Sequence, residues 1–83
     1  MDETREWSSF TMDIGSTTWS VDVGREVAED ALKIPNIDFA TLDAWVDANT
    51  AALSAIAEAK IARGDHGSRW VTIGTTDWAA WLN

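Results

Sequence analysis

The chain reads as one small α+β domain over residues 1–83: a β-hairpin, a short helix, a long helix, a third antiparallel strand and a short C-terminal helical turn. Three observations predict this. Apolar and polar residues alternate on both sides of Gly15-Ser16-Thr17, the period-two pattern of a half-buried strand pair. Residues 39–63 carry apolar side chains at helical spacing, with no glycine or proline to interrupt them. Trp70-Val71-Thr72-Ile73 is a β-rich run set between Gly67 and Gly74.

In the hairpin, Phe10, Met12 and Ile14 form one face of the first strand, and Trp19, Val21 and Val23 one face of the second. Asp13 and Asp22 fall on the opposite, solvent face. Gly24 ends the second strand. Residues 25–33 form the short helix, with Val27, Ala28, Ala31 and Leu32 on one side and Glu26, Glu29 and Asp30 largely on the other. Pro35 breaks it, because the residue before a proline is pushed out of the helical region.

The long helix runs from about Phe39 to Arg63 with Asp38 as its N-cap. Gly64 stops it, and Lys60 and Arg63 sit where cations favour the C-terminal end of the helix dipole. Its wheel has three faces: an apolar stripe (Phe39, Leu42, Trp45, Val46, Leu53, Ile56, Ala57), a polar stripe that includes Asp43 and Asp47, and an arc of alanines from Ala44 to Ala62. Trp78, Trp81 and Leu82 fall together at i, i+3 and i+4 in the final helical turn, Asp77 to Leu82, capped by Thr75 or Thr76.

An 83-residue chain with no cysteine has no disulfide, so packing must stabilise it. Six Trp and two Phe supply large side chains for that purpose. No apolar run approaches the roughly 18 residues that span a bilayer, so no membrane association is expected. The acidic opening Met1-Asp2-Glu3-Thr4-Arg5-Glu6 is the reverse of a secretory signal, and the expected location is cytoplasmic.

The formal net charge is −8, and it is lopsided. Residues 1–47 hold eleven acidic and three basic side chains, whereas residues 48–83 hold three of each. A negative field of this kind repels nucleic acid and anionic lipid and attracts basic surfaces. Direct nucleic-acid binding is therefore not expected.

The order hairpin, helix, long helix, strand resembles a family of small bacterial α+β proteins known only as a domain of unknown function. The matching stretch is Val21 to Trp78. Val23-Gly24-Arg25-Glu26-Val27-Ala28-Glu29-Asp30-Ala31-Leu32 resembles that family's strand-to-helix passage. Ala44 to Asn49 and Ile56 to Gly64 are similar to its long helix, and Val71-Thr72-Ile73 with Asp77-Trp78 to its closing strand and acidic-aromatic end. These are packing positions, so the resemblance implies a fold and no activity.

No nucleophile elbow, phosphate-binding loop, dinucleotide fingerprint or EF-hand spacing is present. Asp65-His66 is the one carboxylate–imidazole neighbour pair, and general-base or metal chemistry needs further groups converging on it. The expectation is a protein that is not an enzyme and takes no cofactor or metal. Its candidate partner-binding residues are Asp13, Asp22, Glu26, Glu29, Asp30, Asp43 and Asp47, read as one acidic side, with Trp78 and Trp81 as aromatic anchors if exposed.

The expected partner is a protein with a basic, nucleic-acid-handling surface, which the carboxylates would occupy as a phosphate backbone does. Phage anti-CRISPR inhibitors share this composition, an analogy of type and not of sequence. The alternatives are a homodimer through the alanine arc and the terminal Trp residues, and a sugar-binding module built on Trp78 and Trp81.

Overall fold

The computed structural model describes residues 7–82. The hairpin is the sheet's starting point. Strand β1 (Trp7–Ile14) pairs antiparallel with β2 (Thr17–Gly24) in unbroken register from Trp7↔Gly24 to Ile14↔Thr17. Gly15 supplies the positive φ of 63° that the two-residue turn requires. Helix α1 (Arg25–Leu32) follows directly. It ends at Lys33, whose φ of 59° is left-handed, and the Ile34 N–H then bonds back to the Glu29 carbonyl at 3.2 Å. Helix α2 (Phe39–Ala48) starts at Asp38, whose carboxylate accepts the Thr41 N–H at 2.8 Å, the expected N-cap bond.

The long helix is in fact two. It breaks at Asn49, and α3 runs from Thr50 to Ala62. Polar side chains at the break take up helix carbonyls. Asn49 Nδ2 donates to Trp45 O at 2.8 Å, and Thr50 Oγ1 donates to Val46 O and Asp47 O at 3.0 Å. Such local bonds give the backbone an alternative to the helical ladder. The expected apolar stripe survives the break. Leu42, Trp45, Val46, Leu53, Ile56 and Ala57 are all buried.

Strand β3 (Trp70–Ile73) lies beside β2 and runs parallel to it, pairing Ser20↔Trp70 through Val23↔Ile73. The expected antiparallel third strand is therefore corrected. The sheet is mixed, in the order β1-β2-β3. Helices α1 to α3 act as the crossover that a parallel pair needs. Helix α4 (Thr75–Leu82) closes the chain.

All the helices pack on one face of the sheet. Val21, Val23, Val71 and Ile73 point into that layer and are fully buried with Val27, Ala28, Leu42, Leu53 and Ala57. Trp45 and Trp78 meet edge to face with centroids 5.0 Å apart, an arrangement favoured by the ring quadrupoles. Trp19, expected in the core, is only half-buried, because it sits near the hairpin end, where its ring meets His66 edge to face at 4.9 Å.

Candidate functional site

The other sheet face carries Trp7, Ser9, Thr11, Asp13, Thr18, Ser20, Asp22, Trp70 and Thr72, by strict alternation from the buried residues. Trp7 and Trp70 remain 49% and 47% exposed. Asp13 accepts from Thr18 Oγ1 at 2.7 Å and Asp22 from Ser9 Oγ at 2.6 Å. Four residues of strand separate the two pairs, about 13 Å at 3.3 Å per residue.

The carboxylates expected on one side are divided among three places. Asp13 and Asp22 lie on this open face, turned away from the helices. Glu26 and Asp30 project from α1 into solvent. Asp43 and Asp47 lie on the flank of α2 that meets β1, where Asp43 Oδ1 accepts the buried Ser8 Oγ at 3.0 Å. The opposite flank of α2 faces α1 across a groove lined by Leu32, Ala40, Thr41, Ala44 and Trp45. A sheet with helices on one face turns alternate strand residues to opposite sides, so period-two acids and helical acids do not converge.

Two predicted site residues are internal braces. Glu29 Oε2 pairs with Arg25 Nε at 3.4 Å and accepts the Ile37 N–H at 3.2 Å, tying α1 to the loop before α2. Trp78 is 7% exposed, with its ring against Trp45, and Nε1 has no acceptor among the described residues. It is core, not an anchor. Trp81 is 47% exposed and lines a shallow groove with Ile56, Ala59, Arg63, Asp77 and Ala80. Without Trp78, the expected aromatic pair is reduced to one ring. The alanine arc is interrupted at Asn49; Ala44 lies in the groove beside α1, and Ala48, Ala51, Ala59 and Ala62 are exposed.

Sequence reasoning missed a charge network centred on Lys60, which is 6% exposed. Its Nζ donates to Thr72 O at 2.6 Å and Asp77 Oδ2 at 2.7 Å, with Asp65 Oδ2 at 3.7 Å. Arg63 joins from outside, 3.4 Å from Asp65 and 3.7 Å from Asp77. Asp77 also accepts the Gly74 N–H at 2.9 Å, the return half of a capping box for α4. Burial pushes the Asp77 carboxyl up. The Gly74 bond, the Lys60 bond and the Lys60 and Arg63 charges outweigh that and hold it below its ordinary 3.8. The signal was available: Lys60 follows Leu53 and Ile56 at i+7 and i+4, on the buried stripe.

His66 is occupied locally. Its Nδ1–H donates to the Gly67 carbonyl at 2.6 Å while its neighbour Asp65 turns to Lys60 and Arg63. Among the described residues no three His, Asp or Glu side chains gather as a metal-binding group. None of their helices is long and apolar enough to cross a membrane.

With Arg25, Lys60 and Arg63 engaged by Glu29, Asp65 and Asp77, the carboxylates of Asp13, Asp22, Glu26, Asp30, Asp43 and Asp47 form no ion pair among the described residues. Comparison with known proteins found no matching family model, no matching curated protein and no matching solved structure.

Proposed function

We propose that this chain is a non-catalytic binding protein whose surface carboxylates engage a basic, nucleic-acid-handling protein. One observation carries the reading. The described basic residues that form ion pairs serve Glu29, Asp65 and Asp77, and six candidate partner-binding acids form no ion pair among the described residues. Uncompensated like charges repel one another, and a partner supplying Lys and Arg relieves that cost. Because the acids occupy three separate places, a partner docks on one of them. The Asp43 and Asp47 flank is the best placed, since it adjoins an edge of the sheet.

The test is capture on the immobilised protein followed by elution in rising salt. Proteins that bind DNA or RNA should elute as screening shortens the field, and added duplex DNA should compete for them. The double variant Asp43→Lys/Asp47→Lys should weaken retention roughly tenfold with unchanged circular dichroism. Retention that ignores salt, added DNA and this variant sinks the reading.

A further inference from the structure

We propose that the outer edge of β1 is a strand-addition site for an extended, Lys- or Arg-bearing segment of a partner protein. This rests on the basic-partner reading above and names the surface that carries it.

The direction of each backbone group follows from one bond. Ser20 N–H donates to Arg69 O at 3.0 Å, so Ser20 points its main-chain groups at β3. Alternate residues of a strand point opposite ways, so Trp19, Val21 and Val23 point theirs at β1. Their register partners Met12, Phe10 and Ser8 use their N–H and C=O groups in return. The intervening residues Ser9, Thr11 and Asp13 therefore turn N–H and C=O outward, and nothing among the described residues pairs with them.

Natural sheets blunt such edges with proline, lysine, bulges or very short strands. Strand β1 has none of these. It is eight residues long, pairs without a bulge, and contains neither Pro nor Lys. The opposite edge strand, β3, has only four residues. An incoming strand would lie about 4.8 Å outside β1 and alternate its side chains between the two faces. On the helix side it meets Asp43, held at β1 by Ser8, and Asp47 one turn further along α2. On the open side it meets Asp13 and the half-exposed ring of Trp7, which accepts a guanidinium on its face.

Both sides thus select cations. A second copy is disfavoured, because its β1 edge carries the same acids and contributes no Lys or Arg of its own.

The test uses two ten-residue peptides of equal charge: alternating Lys-Thr, which can form a strand, and alternating Lys-Pro, whose prolines lock φ at about −65° and hold it in a polyproline II helix instead of a pleated strand. The protein variant is Thr11→Pro, which removes an outward N–H without taking any bond from the hairpin. Thr11→Ala and circular dichroism control for folding. The wild type should bind Lys-Thr at least tenfold tighter than Lys-Pro, with amide exchange slowed at Ser9, Thr11 and Asp13. Thr11→Pro should erase that preference.

Equal, salt-sensitive binding of both peptides overturns the edge site and leaves the basic-partner reading standing. Binding of neither overturns both. A wild-type dimer that Thr11→Pro converts to monomer makes the occupant a second copy and also overturns the proposal.

Discussion

Asp77→Ala should remove a large share of the stability of this fold. The side chains of Lys60 and Asp77 are 8% and 16% exposed, so their contact is shielded from water. Deleting the carboxylate leaves the Lys60 ammonium with Thr72 O and an Asp65 oxygen 3.7 Å away. Breaking a buried pair from one side costs about 3–5 kcal/mol, because the remaining charge stays desolvated. The Gly74 N–H also loses its acceptor, a capping loss of roughly 1 kcal/mol. An 83-residue domain has a total stability of about 4–12 kcal/mol at 0.05–0.15 kcal/mol per residue.

Asp77→Ala is therefore expected to lose about 4–6 kcal/mol, moving a urea midpoint down by roughly 2.7–4 M at a slope near 1.5 kcal/mol/M. Lys60→Met is the informative contrast. It replaces a buried cation with an apolar chain of similar length and leaves Asp77 the Gly74 bond and Arg63, so the expected cost is only about 1–2 kcal/mol. Trp fluorescence and far-UV circular dichroism, required to coincide, measure both. Losses below about 1 kcal/mol for Asp77→Ala, or equal losses for the two variants, would refute the desolvation argument.

Two further outcomes are expected. The Asp77 carboxyl is held below its unfolded value of 3.8, so its contribution is fully present above that pH and disappears as pH falls through the folded value. The wild type should lose stability on acidification below about pH 3.8 more steeply than Asp77→Asn, and parallel acid titrations would count against this assignment. Lys33→Gly should raise stability by about 0.5–1 kcal/mol in urea unfolding, because glycine holds a left-handed φ without a Cβ penalty; an unchanged or lower midpoint would show that the Lys33 conformation carries no strain.

The hairpin, the Asp38 cap and the apolar stripe of α2 and α3 were legible because each follows from local chemistry: a period, a capping oxygen, a spacing. The direction of β3 was not, since Val71 and Ile73 alternate with Trp70 and Thr72 in the same way whether the neighbour runs parallel or antiparallel. The break at Asn49 was hidden because the apolar spacing continues through it, while the cause lies in two polar side chains reaching back to carbonyls. Lys60 lay on the buried stripe, yet its partners Thr72 O and Asp77 come from later elements that only the tertiary fold brings near. The candidate site was legible as a list of acids. Their division followed from the sheet, because Asp22 shares β2 with the core residues Val21 and Val23, and Asp13 shares β1 with the core-packed Phe10 and Met12, but both acids point the other way.

The parallel pairing of β3 with β2 has a cost during synthesis. Residues 25–69 separate the two strands, so β2 lacks its second neighbour until residue 73 has left the ribosome. Until then the inner strand of the finished sheet is an edge, and the apolar faces of Val21 and Val23 lack the cover of Val71 and Ile73. The nascent chain passes through a stage with sticky main-chain groups on both sides of its hairpin, a stage that favours aggregation. Chains truncated before Trp70 should therefore collect as insoluble material and not as a smaller folded unit.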